Sequence, residues 1–302
     1  MQLHELRKEL RFNTELTQLI ETLKNIAAAQ YHAMEKEKQR FYEFMDAFVG
    51  FFRVVDLVDV HDPLVEATVD VTGIVIVTSD SGFMGGLNQG VIHAAMETRK
   101  ERAESQIIVI GEKGAAALND MKVEHKFFQG VGQATLYEQA LEVRDYIVGE
   151  VQNKRLGRVV VAYPKPVSFT AQTIDVIGLL PCGELFDRAA PSEVARRLAT
   201  DSILAEARKV IVESRFSDLV EYLSGAWVAA KLYEVFEDSK LAEFSARAMH
   251  LEGSYQELAR EQKKLKHKTF KAVHERIDKG MRESFVARSI HTRDSAKRKE
   301  TR

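Results

Sequence analysis

The chain has 302 residues, 45% of them hydrophobic and 29% charged, and a formal net charge of −2. That length provides for one large domain or two average ones, and the near-neutral charge argues against a dedicated nucleic-acid binder. The single cysteine, Cys182, excludes an internal disulfide framework and a zinc site built on several thiolates. Because the sequence contains no long apolar run and no secretory signal, we expect a soluble protein of a reducing compartment.

The prolines divide the chain into parts. All five lie between Pro63 and Pro191, and 13 of the 17 glycines lie between Gly73 and Gly183. Because a proline inside a helix costs about 3 kcal/mol, the proline-free ends permit long helices. We predict an N-terminal coiled-coil helix over residues 1–62, a central domain over 63–191, a C-terminal coiled-coil helix over 192–285 and a basic tail over 286–302.

The N-terminal segment carries an apolar stripe with the spacing of a coiled-coil seam. Its members alternate at intervals of three and four residues, as in a heptad repeat. They are Leu16, Leu19, Leu23 and Ile26. We therefore expect these four side chains to pack against a partner helix.

The central segment alternates β-branched runs with helical stretches. Strand-like runs occupy residues 71–78, 106–110, 158–163 and 173–180, and helical stretches lie around 88–104 and 134–153. Continuous β-branched strands separated by helices indicate a mostly parallel sheet that is covered on both faces. We predict a Rossmann-like, mostly parallel α/β domain.

A glycine-rich loop follows the first predicted strand and precedes a helix. It runs from Ser79 to Asn88 with the spacing G-x-x-G-G. Such a loop could present backbone N–H groups to a phosphate, but this spacing matches neither the dinucleotide fingerprint nor the P-loop. The alternative is a tight strand-to-helix turn, in which Asp80 accepts backbone hydrogen bonds rather than acting as an acid or base. The sequence leaves both interpretations open.

The C-terminal segment repeats leucine every seven residues, at Leu251, Leu258 and Leu265. Polar residues dilute the alternate seam positions, so the segment suits pairing with the N-terminal helix better than a coil of its own. We predict an antiparallel coiled coil between the chain ends, with an ordinary helical bundle as the alternative. From residue 260 onward there are 15 Lys/Arg and 6 Asp/Glu, so this end could contact an anionic partner or stay solvated.

The sequence offers no catalytic or metal-binding motif. It contains no His-Glu-x-x-His, no nucleophile elbow and no clustered pattern of metal ligands, and its nine histidines are scattered singly. We therefore predict no catalytic, cofactor-binding or metal-binding residues in this chain.

Taken together, the motifs resemble the γ subunit of F-type ATP synthase over about residues 3 to 285. Thr78–Asn88 is similar to the family's T-S-D-R-G-L-C-G-G-L-N, and Ala242–Arg247 is similar to its S-E-H-A-A-R. Ile26–Ala29 stands where the family's first helix reads V-A-A-S or V-A-A-A. The family loop motif is matched at Asp80, Gly82, Gly85, Gly86 and Asn88.

The chain also departs from the family. Ser81 and Met84 replace the loop's arginine and cysteine, and Ala29–Ala33 replaces a basic S-K-M-R-K. The family's A-R-Q-x-x-I-T, where members touch the catalytic ring, reads Ala272–Asp278 here, so those polar contacts are not carried over intact. These departures favour a divergent member, for example of an alternate or sodium-linked complex. The candidate hexamer contacts are His274, Arg276 and Asp278.

The resemblance implies a non-catalytic rotor subunit of the central stalk, which couples ion-driven rotation of the membrane c ring to ATP synthesis or hydrolysis. The paired chain ends would enter a hexamer of α and β subunits, with catalysis on β, and the α/β domain would contact the ε subunit and the c ring. The chain would bind no nucleic acid and would be a peripheral membrane protein on the cytoplasmic face of a bacterial plasma membrane, without a span of its own. The alternatives are a Rossmann-like small-molecule enzyme and a coiled-coil adaptor with a basic tail.

Overall fold

A computed structural model describes residues 3–52, 62–182 and 216–300. These ranges form two long helices and a central α/β region. In chain order the elements are α1 (Leu3–Phe52), β1 (Val71–Val77), α2 (Leu87–Lys100), β2 (Glu104–Ile110), α3 (Glu112–Asp120), β3 (His125–Phe128), α4 (Leu136–Gln152), β4 (Arg158–Ser168), β5 (Ala171–Leu180) and α5 (Phe216–Glu300). Within these ranges, no helix is both long and apolar enough to cross a bilayer.

The predicted domain boundaries are only partly covered by the described residues. The predicted boundary between residues 191 and 192 lies outside them, and the one between residues 62 and 63 lies where the second range begins. Helix α5 continues without interruption past the third boundary, after residue 285. The domain boundaries therefore stay predictions.

The five strands form one sheet in the order β3-β2-β1-β4-β5. β1 pairs in parallel with β2 and β4, and β3 is parallel to β2, whereas β5 is antiparallel to β4. In this register Val75 of β1 lies between Ile108 and Val161, so β-branched residues form the middle of the sheet. Such runs are typical of strands buried on both faces. The prediction of a Rossmann-like, mostly parallel α/β domain is confirmed.

Two apolar cores lie on opposite faces of the sheet. Consecutive strand residues point to opposite faces, so Ile74 and Val75 of β1 enter different cores. Ile74 packs in a core with Val91 of α2, and Val75 belongs to a core that also contains Ile147 of α4 and Phe236 of α5. Helix α5 is therefore part of the domain's packing as well as a partner of α1.

The β4–β5 hairpin extends beyond the parallel part of the sheet. β1 pairs with β4 only as far as Ala162, whereas β4 and β5 stay paired up to their turn. At that turn, the ring of Phe169 meets Tyr31 of α1 edge-on, with 5.0 Å between ring centroids, and stacks on His32. Tyr31 and His32 belong to the stretch that departs from the family's basic sequence, and here they serve packing.

By its internal contacts, the chain divides into two compact units, residues 1–24 with 251–302, and residues 25–250. In the first unit the two helices are antiparallel. The side-chain amide of Gln262 donates to Oγ1 of Thr14 at 2.9 Å, and Nζ of Lys24 lies 2.9 Å from a carboxylate oxygen of Glu252. A step of ten residues forward along α1 therefore corresponds to ten residues back along α5, as the predicted antiparallel pairing requires.

The buried stripe of α1 is shifted by one residue from the predicted seam. Leu19 and Ile26 are 54% and 50% exposed, whereas their neighbours Ile20 and Ala27 are buried. A shift of one residue turns the contact by about 100° around the helix, so the predicted stripe lies beside the contact with α5. The reason is that α1 carries two adjacent stripes with heptad spacing, and α5 packs against the second one. Intermediate burial is found for Leu16 and Leu23.

On α5, the seam positions face the helix pair. Leu251 and Leu265 are buried, and Leu258 is half-buried. The facing stripe of α1 is partly polar, since Asn13 and Thr17 are buried in it. Within the described ranges, Oδ1 of Asn13 has no hydrogen-bond partner. Apolar packing in this unit is therefore weaker than in a leucine-rich coiled coil.

Candidate functional site

The glycine-rich loop begins at the carboxyl edge of the sheet, directly after β1. The hydroxyl of Thr78 donates to the carbonyl of Ile110 at 2.8 Å and accepts the N–H of Gly114 at 3.0 Å. Nδ2 of Asn88 donates to Oγ of Ser79 at 3.0 Å, while its Oδ1 accepts the N–H of Ser79 at 3.3 Å. These bonds anchor the start of the loop to the next strand and join its two ends.

Asp80 links the loop to two neighbouring loops. Its Oδ1 accepts the N–H of Glu112 at 2.8 Å and the N–H of Gly130 at 3.1 Å. Glu112 begins α3 after β2, and Gly130 follows β3, so three loops at this edge share one carboxylate. Of the two interpretations of Asp80, the structure shows backbone hydrogen bonding, with donors from the neighbouring loops rather than from its own turn.

The backbone of the loop enters the left-handed region twice, with φ of +65° at Phe83 and +57° at Gly85. Only glycine adopts that region without strain, so Phe83 stores about 1 kcal/mol or more. The other two motif glycines differ from Gly85, because a Cβ at Gly82 or Gly86 would meet nothing within 4 Å. The strained Phe83 is 57% exposed, which makes it a candidate contact for another protein.

Helix α5 fills the place where Rossmann-like sheets bind their ligands. In such sheets the ligand crevice lies at the carboxyl ends of the strands where the strand order reverses, which is between β1 and β4 here. The remaining cavity has a volume of about 10 Å³ and is lined by Ser79 and Asn88 of the loop region, Pro164 of β4, and Ser239 and Glu243 of α5. That is room for a single water at most, so the geometry gives no support to a nucleotide-binding enzyme.

Glu243 and Arg247 connect α5 to the loop. The mostly buried carboxylate of Glu243 lies 2.8 Å from Nζ of Lys240 and 2.6 Å from a guanidinium nitrogen of Arg247. Nε of Arg247 donates to the carbonyl of Gly82 at 3.4 Å. The two segments that carry the resemblance therefore touch each other. Sequence reasoning named both segments but missed the contact, because no local pattern links positions 165 residues apart.

A buried ion pair joins α1 to α5 in the larger unit. Lys38 donates to Asp238, and the two side chains are 15% and 1% exposed. Burial raises the pKa of the Asp238 carboxyl, and the neighbouring Lys38 ammonium group opposes that rise. Because an unpaired buried charge is costly, each member of the pair holds the other in place.

The only cysteine is buried in the same unit. Sγ of Cys182 donates to the carbonyl of Leu64 at 3.2 Å. Burial raises the pKa of this thiol to about 11, so it stays protonated at neutral pH. Among the described residues, no group of three or more His, Cys, Asp or Glu side chains could hold a metal ion.

The candidate hexamer contacts lie on an exposed stretch of α5. The side chains of His274, Arg276 and Asp278 are exposed, as are the large apolar side chains of Ile277 and Met281 between and beyond them. Exposed apolar and charged residues on one helical stretch are typical of a protein contact. The assignment of the three residues stays a prediction.

Comparisons with known proteins show the family. The family model described as ATP synthase matches residues 2–283, and the chain belongs to this family. Its relatives include ATP synthase gamma chains. The ATP synthase gamma chain of Rhodopirellula baltica is 26% identical, over 82% of this chain and 83% of the relative, and that of Desulfitobacterium hafniense is 24% identical, over 80% and 82%. The predicted resemblance to the gamma subunit, a non-catalytic subunit of the synthase, is confirmed.

One further sequence match is shorter, and two solved structures share the fold. The gamma chain of Desulforudis audaxviator is 24% identical over 60% of this chain, and the match spans 61% of that relative. The rotor of the Euglena gracilis mitochondrial ATP synthase superposes with a TM-score of 0.60 at 15% identity, covering 91% of this chain and 98% of that one. A chain from the central stalk and c ring of the Tetrahymena thermophila mitochondrial ATP synthase superposes with a TM-score of 0.56 at 15% identity. That match covers 78% of this chain and 99% of the Tetrahymena chain. At this identity the structural matches show a shared fold.

Proposed function

We propose that this chain is the central-stalk rotor subunit of an F-type ATP synthase. It couples ion-driven rotation of a membrane c ring to ATP synthesis or hydrolysis in a hexamer of α and β subunits. The observation that carries the proposal is the family match over residues 2–283, because it includes both long helices and the α/β domain. The similar structures, which are a rotor and a central stalk with its c ring, support it.

A rotor needs a long, stiff element, and the helices provide the length. At 1.5 Å per residue, the 50 residues of α1 extend for about 75 Å. The antiparallel partner resists bending, because two helices held side by side are stiffer than one. In the proposed assembly, the paired chain ends lie inside the hexamer.

We assign the outer stripe of α1 to the contact with the hexamer. Phe12, Leu19 and Ile26 recur every seven residues and are 65%, 54% and 50% exposed. Apolar side chains repeated along one exposed helix face indicate a surface that another protein covers. His274, Arg276 and Asp278 would contact the same hexamer.

The remaining partners follow from the same proposal. The α/β domain would bind the ε subunit and the c ring, on the cytoplasmic face of the bacterial plasma membrane. ATP chemistry would take place on the β subunits. The filled crevice between β1 and β4 supports this division, because it leaves no room for a nucleotide at the edge of the sheet where related folds bind one.

Co-purification tests the proposal. The tagged chain is expressed together with the other subunits of an ATP synthase from the same organism, and the control is the same preparation without the chain. We expect the chain to purify with α and β and to be required for ATP-driven ion transport in vesicles. Purification of an active α/β complex without the chain, together with unchanged ion transport, would contradict the proposal.

A further inference from the structure

We propose that residues 243–247 of α5 form the joint that transmits torque between the sheet of the α/β domain and helix α5. This inference rests on the proposed rotor function and names the residues that act in it. The described contacts of this stretch with the loop and with the β4–β5 hairpin carry the argument.

The joint holds α5 from two sides. On one side, Nε of Arg247 donates to the carbonyl of Gly82 in the glycine-rich loop at 3.4 Å. On the other side, the amide of Gln172, in β5, donates to Oγ of Ser245 at 2.9 Å. Helix positions two residues apart point about 200° from each other, so these contacts lie on nearly opposite faces of α5. A helix held on one face could roll about its axis, whereas a helix held on both faces cannot.

The guanidinium group of Arg247 is held in position before any load is applied. Glu243, one helical turn earlier, lies 2.6 Å from it and is itself 2.8 Å from Nζ of Lys240. Arg247 reaches far from the helix axis, and a contact resists twisting in proportion to its distance from that axis. This side chain is therefore a suitable lever, provided that Glu243 restricts its rotamers.

Both ends of the joint are firmly attached. Ser245 is fully buried and also donates to the carbonyl of Ala242 at 3.0 Å, so its hydroxyl makes two hydrogen bonds. The loop that contains Gly82 is tied through Asp80 to the loops after β2 and β3. A force on Gly82 is therefore shared by several strands rather than by one flexible turn.

The test compares coupling with ATP hydrolysis in the assembled complex. Three variants are made: Arg247→Gln, Gln172→Ala and the double variant. We expect ATPase activity without a gradient to stay near that of the wild type. Ions transported per ATP should fall by about half in each single variant and further in the double variant, because the two contacts act on one helix. The matched control is Arg155→Gln, which removes the ion pair of Arg155, in the turn after α4, with Glu150 of α4 and none of the contacts described for residues 243–247.

A second measurement separates a torque joint from a merely structural role. Torsional fluctuation of a bead fixed to the far end of α5 in the assembled complex should widen in the double variant, while the melting temperature of the isolated chain stays within a few degrees of wild type. Arg247→Lys, which keeps the charge but cannot bridge Glu243 and Gly82 at once, should be intermediate. If Arg247→Gln fails to fold, the transport per ATP of Arg247→Lys tests the proposal instead.

Two results would overturn the joint. One is wild-type transport per ATP in the double variant; the other is loss of co-purification with α and β by a variant that melts normally, which would assign these residues to assembly. Failure of the wild-type chain itself to join the complex would refute the rotor function instead, so the two failures are distinguishable.

Discussion

The three glycines of the family loop motif place different demands on the backbone. Gly85 has a φ of +57°, which L-residues rarely adopt, whereas Gly82 and Gly86 show no positive φ and face open space. The sequence motif alone does not distinguish which of the three positions needs a glycine. The structure shows that only Gly85 requires the conformational freedom of glycine.

Replacing Gly85 should therefore cost more than replacing Gly82. We expect Gly85→Ala to lower the free energy of unfolding by about 1 kcal/mol, because Cβ clashes with the backbone at positive φ. Gly82→Ala should leave it within about 0.5 kcal/mol of wild type or raise it slightly, since alanine restricts the unfolded chain. Urea unfolding of the isolated chain measures both, and equal losses would contradict this account.

The Cys182 thiol should report on opening of the larger unit. Its pKa of about 11 lies above the ordinary 9.0, so the reactive thiolate is scarce below pH 9 and becomes common only as the pH passes 11. We expect Ellman's reagent to label the native chain slowly at pH 8 and the urea-unfolded chain at once. A cysteine introduced at the exposed Ser217, in a Cys182→Ser background, is the fast-reacting control. Equally fast labelling of Cys182 in the native chain would contradict its burial.

At the scale of the element, α1 has two adjacent stripes with different partners. The stripe that faces α5 includes the polar residues Asn13 and Thr17, whereas the outer stripe carries Phe12 and Leu19. The exposed face thus carries large apolar side chains beside a buried stripe that is partly polar. This arrangement is reasonable for a helix that is in contact with other subunits along its length.

Neighbouring substitutions on α1 should separate the two stripes. Ile20→Asp places a charge in the buried contact with α5, so we expect it to destabilise the helix pair by about 3 kcal/mol or more. Leu19→Asp should change the stability of the isolated chain by less than about 0.5 kcal/mol, since the site is half exposed, but it should weaken co-purification with α and β. Circular dichroism melts and pull-downs measure the two effects. If Leu19→Asp destabilised the free chain as much as Ile20→Asp, the outer assignment would be incorrect.

Sequence periodicity could reveal the strands, the long helices and their antiparallel pairing, because β-branched runs and heptads are local signals. It could not reveal which stripe of α1 faces α5, because Leu19 and Ile20 both belong to series with heptad spacing and only the partner helix distinguishes them. The contact of Arg247 with Gly82 was equally hidden, since it depends on how α5 packs against the sheet. Asp80 lies between these cases: a bonding role was foreseeable, but its donors were not.

At the scale of the whole molecule, the last residues of the basic end lie beyond the family match. The family match stops at residue 283, whereas α5 continues to Glu300. Net positive charge is concentrated from residue 260 onward, so the rest of the chain is correspondingly acidic. A rotor subunit should not depend on this end for binding its partners, whereas an adaptor with a basic tail should.

Deleting residues 286–302 should leave assembly and coupling largely intact, with a mild effect on ATPase regulation, because the matched core remains complete. Co-purification at low and high salt, together with ATP-driven ion transport, measures the outcome. Substituting Lys297, Arg298 and Lys299 by Gln serves as a charge-only control. If the deletion abolished all partner binding and added salt did the same to the full chain, the adaptor alternative would be favoured instead.

The polar residues buried between α1 and α5 have a consequence for how cells make this protein. A newly synthesised copy without its partners keeps Phe12, Leu19 and Ile26 in water, while Asn13 occupies the interior of its helix pair. Such a copy leaves this apolar row uncovered and is prone to associate with other copies. We therefore expect only part of the protein to be soluble when it is overproduced by itself, and the soluble fraction to rise when its partners are translated at the same time.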